Sequence, residues 1–163
     1  MGKRRERGAD RGAGGELSVL YADTSALVRA YFADEPEHQE LRARLLEGEE
    51  AVVSSEITRL EFASAVGAAA RTRRLRRSRL FLDRFDADCI DDGPIALLRL
   101  EPEEVFPLAY RLLTEHDLRT LDAIHLAVAS TSARALSGGE PVMLVTRDQR
   151  QAAAATAMGL AIA

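Results

Sequence analysis

Short apolar runs alternate with longer stretches of helical pattern along nearly the whole chain, and this alternation limits the possible folds more than any other feature. "SVLYAD" (18–23), "AVVS" (51–54), "IALLRL" (95–100), "VMLVT" (142–146) and "LAI" (160–162) read as short buried strands. Between them lie "TSALVRAYFAD", with Thr24 or Ser25 available as a cap, and "PEHQELRARLLEG", with Pro36 as a start and Gly48 as a stop. "SEITRLEFASAVGAAART", the basic then amphipathic "RRLRRSRLFLDRFDADC" and "PEEVFPLAYRLLTEH" follow, with Pro107 a point of kinking or restart in the last. "LRTLDAIHLAVAS" runs on to about Gly138 and Gly139, and "RDQRQAAAATAMG" closes the series. Apolar strands separated by helices predict parallel strands covered on both faces. In such sheets ligands collect outside the carboxyl ends of the strands.

The length of 163 residues suits one domain. No apolar run approaches the roughly 18 residues that a membrane span requires. The basic start lacks the apolar core of a signal peptide. Cys89 is the only cysteine, which rules out a disulfide framework within the chain and fits a reducing cytoplasm. Residues 1–16, "MGKRRERGADRGAGGE", are Gly-rich, without apolar periodicity and net basic, and are expected to form a disordered tail before a domain over 17–163. The whole chain carries −4 and the tail about +2, so the body is more acidic than the whole. That balance argues against a general nucleic-acid coating surface.

Four acids stand in apolar surroundings. Asp23 ends the first strand and Asp148 follows the fourth; if those strands are neighbours, both overhang one sheet edge. Glu61 lies on a helix face with Ile57, Ser64, Ala65 and Ala68, and Asp122 interrupts the most apolar helix. Taken singly, each has a plain structural reading: a turn or cap for Asp23 and Asp148, a favourable dipole position for Asp122, a salt-bridge partner for Glu61. Together they would repel, and some would protonate unless a cation neutralised them. A hard divalent cation with oxygen ligands, Mg2+ or Mn2+, meets that need. His125, one turn after Asp122, reads as a satisfied core residue and stays outside the catalytic set.

"YADTSALVRAYF", "EITRLEFASAV", "LRTLDAIHLAVA" and "VTRDQRQAAAATAMGL" resemble, in order and spacing, the four acidic motifs of PIN-domain ribonucleases, in particular the VapC-type toxins of bacterial toxin–antitoxin pairs. The resemblance covers about residues 18–163. It implies a PIN-like three-layer α/β/α sandwich around a mostly parallel sheet of four to five strands. It places metal and catalytic roles on Asp23, Glu61, Asp122 and Asp148, with Asp23 and Asp122 on the main Mg2+, and supporting hydroxyls at Thr24 and Thr146. It also implies hydrolysis of RNA to 5′-phosphate and 3′-hydroxyl ends, a cognate antitoxin that blocks the site, and a homodimer. The basic extension before the first strand departs from the family pattern.

"RTRRLRRSR" brings Arg71, Arg73, Arg74, Arg76, Arg77 and Arg79 together without an acid. As an arginine-rich helix end it would contact phosphate; the alternatives are a solvated face or a partner surface. Other enzyme classes fit less well. A phosphatase of the haloacid-dehalogenase type needs an acid where Ser25 stands, and a phospho-receiver needs a lysine, of which Lys3 is the only one. No phosphate-loop or nucleophile-elbow motif is present. An RNA-processing nuclease without a toxin role, and a PIN-like module that binds without cutting, both remain open.

Overall fold

The computed structural model describes residues 18–90 and 92–163; the expected tail lies outside them. Five strands form one sheet: β1 Val19–Ala22, β2 Ala51–Ser55, β3 Ile95–Leu98, β4 Val142–Val145 and β5 Ala161–Ile162. Their order is β3-β2-β1-β4-β5, and every pairing is parallel. The helices are α1 Thr24–Tyr31, α2 His38–Leu45, α3 Thr58–Arg71, α4 Ser78–Asp88, α5 Pro102–Glu115, α6 Thr120–Val128, α7 Arg134–Leu136 and α8 Gln149–Ala157. A π-helical segment, Ala129–Ala133, joins α6 to α7. No helix among the described residues is long and apolar enough to cross a membrane.

Alternation along the strands divides the core into two layers. Val19, Tyr21, Val53, Val142 and Leu144 face α5, α6 and α8, through Val105, Leu112, Leu126 and Ala155 among others. Leu20, Ala22, Val52, Ile95 and Val145 face α1 to α4, where Leu27, Leu41, Phe62, Val66 and Phe85 pack. Phe62 and Phe85 stack at 4.2 Å between centroids, and Tyr31 meets both edge-on. This is the expected three-layer sandwich. The chain winds outward from β1 to β3, then crosses to β4 on the other side of β1. The β1–β4 boundary is therefore the topological switch point, where a crevice opens beyond the strand ends.

Several boundaries differ from expectation, each for a local reason. The cap of α1 is Asp23, not Thr24 or Ser25: its Oδ1 accepts the Ala26 N–H at 3.0 Å. Helix α2 begins at His38, not Pro36, because Glu37 adopts a left-handed φ of 62°. Pro107 sits inside an unbroken α5. The basic stretch is not a helix end. Helix α3 stops at Arg71, where the N–H groups of Arg74 and Leu75 turn back to Ala69 O. Arg73 is left-handed at φ 59°, and α4 starts only at Ser78. Arg73, Arg74, Arg76 and Arg77 thus lie in a connection, with Arg71 and Arg79 on the flanking helices.

Candidate active site

The Ala22↔Val145 pairing sets Asp23 beside Thr146 where the two central strands end. Asp23 is only 4% exposed. Its Oδ1 accepts from Ser25 Oγ at 2.8 Å as well as from the Ala26 N–H, and its Oδ2 accepts from Thr146 Oγ1 at 2.8 Å. Ser25 in turn accepts the Arg147 N–H at 2.9 Å, tying the two strand-end loops together. Burial pushes the Asp23 carboxyl above its ordinary range, and these donors offset the rise only in part.

Glu61 reaches the same crevice from the first turn of α3. Its Oε2 accepts from Thr24 Oγ1 at 2.7 Å and pairs with His125 Nε2 at 2.6 Å. Burial raises its pKa, but the His125 and Thr24 partners outweigh burial and hold it below the usual carboxylate range. Of the two threonines singled out in the sequence, Thr24 donates to Glu61 and Thr146 to Asp23.

Asp122 lies in the first turn of α6. Its Oδ2 is buried and has no hydrogen-bond partner among the described residues. Burial, then the nearby charge of Asp148, raises its pKa. Asp148 caps α8, with Oδ1 accepting the N–H groups of Arg150 at 2.9 Å and Gln151 at 3.1 Å. It thus fills the plain structural role of a cap and also faces the other acids. All four carboxylates line one cleft of about 740 Å³, with Val28, Ile57, Leu60 and Leu121 supplying an apolar wall.

An orphaned carboxylate oxygen, two raised carboxyl groups and an all-oxygen donor set fit a hard divalent cation. Among the described residues no three acidic, histidine or cysteine side chains close into a ready-made ligand set. Water would have to complete the shell, as Mg2+ usually requires.

Sequence reasoning left out three residues that the structure places here. His125 is buried, 2% exposed, yet it lines the cleft and grips Glu61. Ser25 braces Asp23, a role suggested only by its place in "DTS". Arg119 is exposed at the cleft, and its side chain makes no ion pair or hydrogen bond among the described residues. Of the arginine run, Arg74 is held by Asp34 and Glu35 and stacks over Phe32, and Arg79 pairs with Asp83. None of the six lines the cleft.

Residues 20–157 match the PIN domain family. Two ribonucleases of Mycobacterium tuberculosis are similar over most of their length. VapC46 is 36% identical over 149 residues, covering 90% of this chain and 97% of the relative. VapC47 is 33% identical over 136 residues, covering 81% and 86%. The fold is shared with the crystal structure of M. tuberculosis VapC20, a sarcin–ricin loop cleaving toxin, at a TM-score of 0.59 and 17% identity, covering 83% of this chain and 94% of that one. With its acids at the switch point of a five-stranded parallel sheet, and with relatives of this closeness, the chain belongs to the PIN-domain family.

Proposed function

We propose that this protein is a Mg2+- or Mn2+-dependent endoribonuclease and the toxin of a toxin–antitoxin pair. The observation that carries the reading is the buried, partnerless Oδ2 of Asp122, a residue lining a cleft shared with three further acids. The ribonuclease names of the relatives support the substrate class. Asp23 and Asp122 would hold the cation, and Glu61 and Asp148 would orient water around it. A bound divalent cation supplies Lewis acidity: it acidifies water and offsets charge developing on the phosphoryl oxygens.

The remaining work falls to the chain's own side chains. Two donors occupy Glu61 Oε2, so its Oε1 is left to accept a proton from the attacking water. One P–O bond forms from that water as the P–O3′ bond breaks, and the departing 3′ oxygen takes up a proton. The products carry a 5′-phosphate and a 3′-hydroxyl. The apolar wall excludes bulk water on one side. Among the described residues, Arg119 is the cation at the cleft free to meet a substrate phosphate. Arg29, also at the cleft, is taken up by Glu37. An antitoxin covering this cleft and a homodimer belong to the same reading.

Incubating the purified protein with a mixed RNA pool in Mg2+, Mn2+ or EDTA tests it, beside an Asp23→Asn variant shown folded by circular dichroism. Cation-dependent cuts that vanish in the variant are expected. Cuts persisting in both the variant and EDTA would overturn the mechanism. No cuts by the folded, cation-loaded wild type would favour a module that binds without cutting.

A further inference from the structure

The proposed mechanism draws on only the Glu61 end of one buried polar chain. Tyr21 Oη lies 2.9 Å from His125 Nδ1, His125 Nε2 lies 2.6 Å from Glu61 Oε2, and Thr24 Oγ1 donates to that same oxygen at 2.7 Å. Tyr21 is fully buried and His125 nearly so. These four residues come from β1, α6, α3 and α1. Tyr21 precedes Asp23 by two residues on one strand, and His125 follows Asp122 by three on one helix. One hydrogen-bonded chain therefore ties the three elements that carry Asp23, Glu61 and Asp122.

The donor directions follow from chemistry. An ionised carboxylate only accepts, so Nε2 must carry a proton. On the other side of the ring, Nδ1 is hydrogen-bonded to the Tyr21 hydroxyl. Tyr21 thus holds the ring from behind, and His125 pins one oxygen of Glu61 and leaves the other for the cleft.

We infer that His125 is the positioning residue for Glu61 in phosphodiester cleavage, with Tyr21 fixing the orientation of its ring. The inference rests on the proposed endoribonuclease reading and goes beyond it by assigning what aligns the acid near the attacking water. Removing an orienting partner of this kind costs about 10- to 100-fold in rate. The side chain does not touch substrate, so the loss should fall on kcat and leave KM within about twofold.

Three variants separate this role from simple core filling: His125→Leu, which fills the space without a donor; His125→Gln, which returns an N–H near the Nε2 position; and Tyr21→Phe, which removes only the hydroxyl. Melting temperature, kcat and KM are measured for each on RNA with saturating Mg2+. The expected order of kcat is wild type, then Gln, then Leu, with Leu down about 100-fold and Phe about tenfold. The wild-type His125 15N signals, identified by their absence from His125→Gln, should report a protonated Nε2. Equal kcat for Leu and Gln, a loss that merely follows melting temperature, or an Nε2 without a proton would overturn the inference while leaving the nuclease intact. A folded, cation-loaded wild type that does not cut RNA would remove the underlying reading, and this inference with it.

Discussion

Asp122→Asn should stabilise the cation-free protein near neutral pH and abolish its response to Mg2+. Asp122 Oδ2 is buried without a donor, and the charge of Asp148 bears on the same carboxylate. Leaving a buried polar group unsatisfied costs about 1–3 kcal/mol, and more for a charged one. The rest of the side chain opens to the cleft, so solvent screens part of that cost and the lower end applies. An amide keeps an unmet hydrogen bond but sheds the charge and the repulsion. The net gain is about 1 kcal/mol, or roughly 2–4 °C in melting temperature for a chain of this size. Wild type at a Mg2+ concentration about tenfold above its Kd should gain roughly 1.4 kcal/mol, or about 3–6 °C. Thermal melts in metal-stripped buffer, with and without added Mg2+, read both effects. A variant that melts lower than wild type without cation, yet still responds to Mg2+, would refute the reasoning, because Asp122 would then be a favourable structural acid.

Three further outcomes are expected. Asp23 and Asp122 have raised carboxyl pKa values, so the stability they contribute is present below the unfolded value and lost as pH rises through the folded one. Glu61 runs the other way, its contribution being lost as pH falls through its lowered value. With two raised groups in the site against one lowered, the Mg2+-induced melting shift should shrink as pH falls from neutrality towards the ordinary carboxylate range; melts across that range that show a constant shift would contradict this. Phe62→Ala removes a fully buried ring stacked on Phe85 and should cost about 3–5 kcal/mol in chemical denaturation; a loss under about 1 kcal/mol would mean that this face of the core packs differently. Arg119→Gln should raise KM for RNA and flatten its salt dependence by about one unit of slope, whereas Arg74→Gln should act on stability through its ties to Asp34 and Glu35; the reverse pattern would return phosphate binding to the arginine run.

The strands, and the acids as out-of-place residues, were legible because each depends on local pattern. Runs such as "VLYA" and "VMLV" are buried on both faces and so are apolar throughout, and a carboxylate after or within such a segment is conspicuous. The break between α3 and α4 was not legible. It turns on Arg73 adopting a left-handed backbone, which nothing in a run of arginines signals. The tie between Arg74 and Asp34 spans 40 residues, so the run looked uniformly free when one member serves as a brace. His125 was read correctly as buried and satisfied, but its partners decide its role. Tyr21 lies 104 residues away and Glu61 64, and only the fold brings them together. Asp148 offered a cap and a site acid in sequence; the structure makes it the cap of α8 and sets it in the cleft lining.

The central claim is that the acids at the β1–β4 edge form a divalent-cation site. It is tested most directly by titrating the metal-stripped protein with Mn2+ near pH 7.5 and following free Mn2+ by electron paramagnetic resonance. Saturable binding that Mg2+ competes away, and that disappears in a folded Asp23→Asn/Asp122→Asn variant, is the expected result. No saturable binding by wild type, or binding unchanged in the double variant, would contradict it: the four acids would then have to be reconciled with burial by protonation and capping alone.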